Sequence, residues 1–417
     1  MSNMNISQSS KDRLAELKKR FESETDVPEK TGFTNCHIHT TYSFSPYSPA
    51  EAVWRAYRAG LATAGIMDHD SISGAREFIE AGKIVGMPTT IGVECRVKMD
   101  NTPLVGKRIN NPDQISVAYL AMHGIPHQNI DRVDEFFRPY RKARGERNKK
   151  MCEKINAIVS PHGISLDYEK DVLPISMHEE GGSVTERHLL FALTKKITEA
   201  YKTPSEVVDF ISNKLGVSIS SKVKEQILAG NETPDYYEYD ILGALKSGLV
   251  ALFYIDADEE CPDVRDFVAL AKEVGAIPAY AYLGDVTNSV TGDKKAQKFE
   301  DEYLDLLVST LKDLGFYAIT YMPSRNTDEQ LERIMRLCRE NGFFEISGED
   351  INSSRQSFIC PALAKPECAH LAPAAHALIG HELASTDNIE NGMFTEKTIK
   401  EMATLEERIK YFADWRL

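Results

Sequence analysis

An α/β barrel carrying a helical insertion is the fold class that this sequence predicts, and three observations predict it. Strand-like and helix-like segments alternate over residues 31–126 and again over 239–360. Between them, residues 127–238 carry helical patterns with no comparable strands. Ionisable residues recur where predicted strands end: His37 and His39, then Asp68, His69 and Asp70, then Glu94, then Asp350. Strand–helix alternation is the signature of a parallel sheet or barrel.

The elements follow in order. Residues 10–24 place Leu14, Leu17 and Phe21 at helical spacing, an amphipathic helix within an N-terminal extension of residues 1–30. Residues 34–38 are strand-like and run into CHIHT. Residues 49–60 open on Pro49 and stop at Gly60, a start and stop pair for a helix. ATAGIMDHD is a second strand, SGAREFIEAGKIVG a helix and PTTIGVECRV a third strand. In the insertion, residues 131–157, 185–200, 204–214 and 220–229 are helical. Alternation resumes with GLVALFYIDA as a strand, DVRDFVALAKEVG as a helix and AIPAYAYLG as a strand. A helix at 300–315, a strand at 316–323, a helix at 327–342 and a strand at 343–350 complete it. A C-terminal extension, 361–417, holds a Cys/His/Ala/Pro stretch and one helix, TEKTIKEMATLEERIKYFADW.

Composition excludes several classes. At 42% hydrophobic and 27% charged residues, the 417-residue chain can bury a large core. No apolar run is long enough to cross a bilayer, and the polar start MSNMNISQSSKDR lacks the core of a secretory signal. Seven scattered cysteines argue for a reducing compartment, so the expected location is the cytoplasm. A net charge of −14 argues against a protein that coats nucleic acid. A small anionic substrate remains compatible, because a bound cation sets the local field. Cys360, Cys368, His370, His376 and His381 fit no zinc spacing and are expected in a structural helix or loop.

His37 and His39 are two apart on a strand, so both imidazoles face one side. Histidine is the commonest metal ligand. The acids and His69 at other strand ends would converge on the same barrel mouth, where barrel enzymes build their sites.

The segments NCHIHTTYS, GIMDHDSISGAREF, IGVE, TERHLLFAL, FYAITYMPSRNTDEQ and SGEDINSSRQSF follow one another over about residues 33–358. Together they resemble the PHP (polymerase and histidinol phosphatase) family of metal-dependent phosphoesterases. The insertion carrying Arg187-His188 resembles the branch that includes nucleoside-phosphate and short-oligonucleotide hydrolases. The resemblance implies a distorted (β/α)7 barrel of PHP type holding three metals at its C-terminal mouth. It assigns the first metal to His37, His39, Glu94 and Asp350. The second metal's further histidines fall on Tyr119, with His123 beyond it, and on Tyr282. The third metal's positions fall on Phe44, His69 and Asn352. Tyrosine and phenylalanine are poor ligands for such ions, so fewer than three ions are expected, with Zn²⁺, Mn²⁺ and Fe²⁺ all suited.

The resemblance implies a hydrolase acting on a nucleotide or another small phosphorylated metabolite, and the composition implies no membrane partner. His69 or Asp70 would serve as base or proton carrier, and His188 would orient substrate or act as an acid. Arg187 and Arg355 are candidate anion clamps. Tyr119 and Tyr282 would donate hydrogen bonds in the space of the lost metals. Two alternatives stay open. One is C–N hydrolysis, isomerisation or lyase chemistry on the same barrel; the other is a non-catalytic regulatory module that holds metal.

Overall fold

Seven short strands supply the scaffold, each buried along nearly its whole length. They are β1 Thr34–Ile38, β2 Thr63–His69, β3 Thr89–Lys98, β4 Val117–His123, β5 Ile277–Ala281, β6 Ala318–Tyr321 and β7 Phe344–Ser347. The computed structural model describes residues 8–286 and 297–415. The strands pair in sequence order in one sheet. A parallel bridge from Ile38 to Ile351, just beyond β7, brings the two ends together, giving the expected barrel.

The sheet departs from the sequence expectation at β4. This strand is antiparallel to both β3 and β5, whereas the other pairs are parallel. The cause is the connection: residues 99–116 form a loop rather than a crossover helix, and a parallel partner needs a crossover. Helices α1 Ser10–Ser23, α2 Pro49–Arg58 and α3 Ala75–Val85 cover the first strands. Buried Arg13 of α1 donates to the Glu77 carboxylate of α3, with Nη2 at 2.6 Å. Ser48 caps α2 by accepting from Glu51 N–H, and Pro49 takes the first turn where no N–H is needed. α3 ends at Gly86 with φ +67°, a left-handed cap that L side chains resist.

A helical body follows β4: α4 Ile130–Val159, α5 Glu186–Ala200, α6 Pro204–Asp209, α7 Ser221–Leu228 and α8 Pro234–Phe253. Met151, Ile155, Leu189, Leu193, Phe210, Leu245 and Phe253 share its core. GLVALFYIDA is therefore no strand. It forms the end of α8, whose Leu242, Leu245, Leu249 and Phe253 pack inward. Apolar residues on the outer face, such as Leu252 at 60% exposure, hide the helical period in the sequence. The helical core thus runs on to Phe253 rather than stopping near residue 238.

Helices α9 Val264–Val274, α10 Leu304–Leu314 and α11 Asp328–Asn341 cover β5–β7. The C-terminal segment then forms α12 Leu371–Asp387, α13 Glu396–Glu401 and α14 Leu405–Ala413. The expected single last helix is broken, because Thr404 and Glu407 form a capping box that restarts it. α12 packs on the N-terminal end of the barrel. Its Ala374, Ala375, Ala377 and Leu378 meet the inward-facing Cys36, Met67, Ala121, Ile277, Ala279, Ala318 and Phe344. Fully buried Glu382 of α12 accepts from Thr90 Oγ1 at 2.6 Å, Ile91 N–H at 2.8 Å and His127 Nε2 at 2.9 Å. The alanine-rich stretch is thus a floor for the barrel. All seven cysteines are free and buried, and no helix among the described residues is long and apolar enough to span a membrane.

One buried acid braces the end of β5. Glu300 accepts from Leu283 N–H at 2.7 Å and from Tyr280 Oη at 3.1 Å. Burial pushes its carboxyl up from 4.5 to about 7 against the pull of these donors. Between those values the unfolded chain is ionised while the folded chain keeps the proton. Stability therefore falls as pH rises through that window, by about 3 kcal/mol. Glu300→Gln should raise Tm relative to the parent protein at pH 8 and change it little at pH 5, checked by thermal unfolding.

Candidate metal centre

The centre begins with a β-bulge. Pairing of β1 with β2 shifts register between Asn35 and Ile38, so β1 carries one extra residue. Cys36 consequently faces the barrel interior, while Ile38 packs outward under the helices. The bulged His37 N–H donates to Asn35 Oδ1 at 2.9 Å, and Asn35 Nδ2 donates to Glu349 O at 3.1 Å. A Cβ on Gly348 would come within 2.7 Å of His37, so only glycine lets this loop pass.

The loop after His39 is held by one carboxylate. Asp68 accepts from Thr40 N–H at 2.7 Å, Thr40 Oγ1 at 2.5 Å and Ser43 Oγ at 2.6 Å. Because Ser43 spends its only proton on Asp68, its oxygen must accept from His39 Nδ1, 3.3 Å away. That fixes the His39 tautomer with a lone pair on Nε2, which points at the other ligand atoms.

Those atoms converge. One ligand atom each from His37, His39 and Glu94 lie within 4.8 Å of one another. His37 Nε2 is 3.2 Å from His39 Nε2, and each is 3.8 Å from Glu94 Oε2. Asp350 Oδ1 lies 3.2 Å from His39 Nε2. Bonds of about 2.0–2.1 Å to a tetrahedral Zn²⁺ put neighbouring ligand atoms about 3.3 Å apart, so the donor set fits a divalent ion. Burial works against the Asp350 carboxylate, but the positive charge that His39 and His37 carry when protonated without an ion, with Arg187 beside them, holds it well below the usual range. Asn352 Nδ2 donates to Asp350 Oδ1 at 2.6 Å, so this side chain orients a carboxylate ligand.

The remaining candidates divide. His69 Nδ1 sits 3.1 Å from Glu94 Oε2, with its ring beside His39 and Tyr119 at 4.6 and 5.8 Å. Tyr119 thus reaches the mouth. Arg187 Nη1 donates to Asn352 O at 3.3 Å, and its guanidinium lies 5.6 Å from the Phe44 ring. His188 Nδ1 accepts from Thr185 N–H at 2.9 Å and caps α5. Burial pushes His188 down to about 3, so it is neutral and offers an Nε2–H donor rather than an acidic imidazolium. Three candidates are engaged elsewhere. Asp70 sits in the left-handed region at φ +52°, its carboxylate 2.5 Å from Arg144 Nη1. Arg355 forms a double contact with Asp240 of α8 at 2.6 and 2.8 Å and lies over Tyr236. Tyr282 packs outward and donates to Asp301 at 2.6 Å. One-residue alternation puts Ala281, not Tyr282, on the inner face of β5. Antiparallel register sets Ala121, not Tyr119, opposite Glu94.

A family model for the PHP domain matches residues 35–317. The chain belongs to the PHP domain family. With the His–His–Glu cluster, this makes it a metal-dependent hydrolase of PHP type. A 58-residue stretch is 43% identical to a 5′-3′ exoribonuclease of Haemophilus influenzae, covering 14% of this chain and 21% of that protein. The chain therefore spans about a fifth of that curated relative's length. A candidate metal-dependent phosphoesterase from Bifidobacterium adolescentis matches with a TM-score of 0.51 at 20% identity, over 81% of this chain and 92% of that one. An amidohydrolase from Chromobacterium violaceum matches with a TM-score of 0.51 at 15% identity, over 80% and 93%. These two likenesses carry the fold.

The sequence did not single out the charge cluster that ties the PHP barrel to its helical body. Arg144 also meets Glu186 at 2.9 Å, and Arg96 meets Glu186 at 3.1 Å. Arg96 and Arg147 both pair with Glu260, and Arg147 also with Glu186. Burial works against the Glu186 carboxylate, yet Arg96, Arg144 and Arg147 hold it well below its ordinary range. The available signal was Arg144 and Arg147 one helical turn apart on α4.

Two outcomes follow from this geometry. Arg144→Ala strands the buried Asp70 and should cost about 3–5 kcal/mol in urea unfolding. Ser43→Ala removes the acceptor that sets the His39 tautomer. Affinity of chelator-stripped protein for Zn²⁺ or Mn²⁺ should fall about 10–100-fold by calorimetry, and an unchanged affinity would remove the relay.

Proposed function

We propose that the protein hydrolyses a phosphoester of a nucleotide or another small phosphorylated metabolite. The observation that carries this is the convergence of His37, His39 and Glu94, with Asp350 beside them, at a barrel mouth. In this proposal those four residues hold the ion. A bound divalent cation supplies Lewis acidity and a water that ionises near neutral pH. The name of the H. influenzae relative supports phosphodiester chemistry over other hydrolyses.

The chain's own residues would then divide the work. Arg187, beside Asp350 and over Phe44, would grip the phosphoryl oxygens, since a guanidinium pairs with phosphate through two bonds. His69 donates Nδ1–H to Glu94 in this proposal, which leaves Nε2 to take a proton at the mouth. Tyr119 would close the side beside His69. His188 would donate from Nε2 toward the substrate while its Nδ1 stays in the cap. Asp70 would act on the arrangement of the mouth through Arg144 rather than on substrate.

A second reading keeps the ion and changes the bond. Tyr119 and Tyr282 stand where the resemblance assigns further histidines, Ala121 and Ala281 fill the inner faces, and Phe44 is buried in the helical core. A centre with one ligand shell lacks a second cation for the leaving oxygen, which favours C–N hydrolysis more than a three-ion site would.

Protein purified without chelators should contain about one equivalent of Zn, Mn or Fe by elemental analysis. It should hydrolyse members of a panel of nucleoside monophosphates, dinucleotides and sugar phosphates. His39→Ala and Glu94→Gln should each lose that activity by about 100-fold or more. Absence of both metal and activity overturns the proposal. Bound metal with activity only on amides selects the second reading.

A further inference from the structure

A second feature of the mouth lies on its rim. β3 ends and β4 begins at the mouth, so the loop 99–116 between them sits on that rim. The segment 297–303, between β5 and α10, passes beside it. Together they border an open cavity of about 420 Å³, lined by Lys107, Arg108, Lys298, Phe299, Glu302 and Tyr303. This lies within the usual size range for small-ligand sites.

The lining is chemically unusual for a chain of net charge −14. It sets three cations against one acid, Glu302. Among the described residues, no carboxylate lies within 4.0 Å of the Lys107, Arg108 or Lys298 nitrogens. Lys107 and Arg108 are nonetheless half-buried. The Lys107 ammonium lies 4.7 Å from the centre of the Tyr303 ring. Arg108 is held by Nη1 donation to Asn111 O at 3.2 Å and Pro112 O at 2.6 Å, and Tyr303 Oη donates to Arg108 O. Carbonyls and a ring hold Lys107 and Arg108 in place without a direct ion pair. Cations beside aromatic faces suit a phosphate joined to a planar ring.

The rim is linked to the centre by one residue. Asn110, next to Arg108, accepts from Tyr119 N–H at 2.8 Å, and its Nδ2 donates to Tyr119 O at 2.8 Å and Ala281 O at 2.6 Å. The Tyr119 ring faces His69. None of the rim residues belongs to the metal cluster, so a ligand there is held and not cut.

We propose that this rim cavity binds a nucleoside monophosphate unit, with phosphate on Lys107, Arg108 and Lys298 and the base against Tyr303. The unit is either the non-reacting neighbour of the scissile phosphoester or a free nucleotide. Its link to turnover rests on the phosphoester reading above; its binding does not.

The test uses the full chain in EDTA with AMP as probe, followed by calorimetry. Binding of AMP should weaken at least roughly tenfold in Lys107→Ala/Lys298→Ala and in Lys298→Glu. Ribose 5-phosphate, lacking a base, should bind more weakly than AMP to the parent protein. Equal AMP affinity in parent and variants, or none in the parent, overturns the proposal whether or not the protein turns over phosphoesters. With metal restored, two results separate the sources. A dinucleotide KM that rises about tenfold relative to the mononucleotide KM in the double variant assigns the site to the substrate. An unchanged ratio, with loss of the effect of added AMP on rate, assigns it to a free nucleotide.

Discussion

The mouth of this barrel depends on the buried carboxylate of Asp68. It takes three donors from the loop after His39, two of them from Thr40. A buried carboxylate is costly unless its lone pairs are filled, and here filling them freezes the loop. The same bond consumes the Ser43 proton, and that sets which His39 nitrogen carries a lone pair. Local backbone geometry, loop order and ligand chemistry thus follow from one acid that never reaches the ion itself.

The bulge in β1 solves a second constraint. The barrel interior needs an apolar side chain at Cys36, the outer layer needs Ile38, and the mouth needs both His37 and His39. Strict alternation cannot meet all three demands on so short a strand. The extra residue does, and Asn35 satisfies the N–H that leaves the ladder. The helical body is held by a different device. Three arginines and three acids, Asp70, Glu186 and Glu260, pair in a largely buried layer between barrel and body. Such a layer adds little net stability, but any slippage would leave a buried charge unpaired. It therefore constrains the orientation of α5, which carries Arg187 and His188.

What was legible in the sequence was what depends on local pattern. The His-x-His spacing, the strand ends at His69 and Glu94 and the capped helices are all local features. Non-local features were hidden. The direction of β4 depends on whether residues 99–116 cross over or turn back, and no periodicity records that. Once β4 is reversed, Ala121 faces Glu94 and the expected position of Tyr119 moves up the wall. Tyr282 fails by a single residue, because a strand flips faces at each step. Arg355 and Asp240 are 115 residues apart, so no window could join them. The end of α8 has the pattern of a strand because its outer face is also apolar, which removes the contrast on which a helical period rests.

Phe44 joins the barrel loop to the helical body. It stands where the family resemblance assigns a third-metal ligand, yet it is 6% exposed and belongs to the core of the helical body. His188 meets its ring edge-on at 5.0 Å, Phe191 and Tyr239 lie 5.7 and 6.0 Å away, and Arg187 covers it. A residue from the barrel loop has become an anchor for the insertion. Burial of an aromatic ring of this size is worth roughly 1.5–3 kcal/mol, and edge-on contacts add to that. An acid or histidine there would trade that anchoring for a polar group in an apolar core, at a further cost unless an ion satisfied it. An aromatic ring at this position and the docking of the body over the mouth are two consequences of one side chain, so neither can be undone alone.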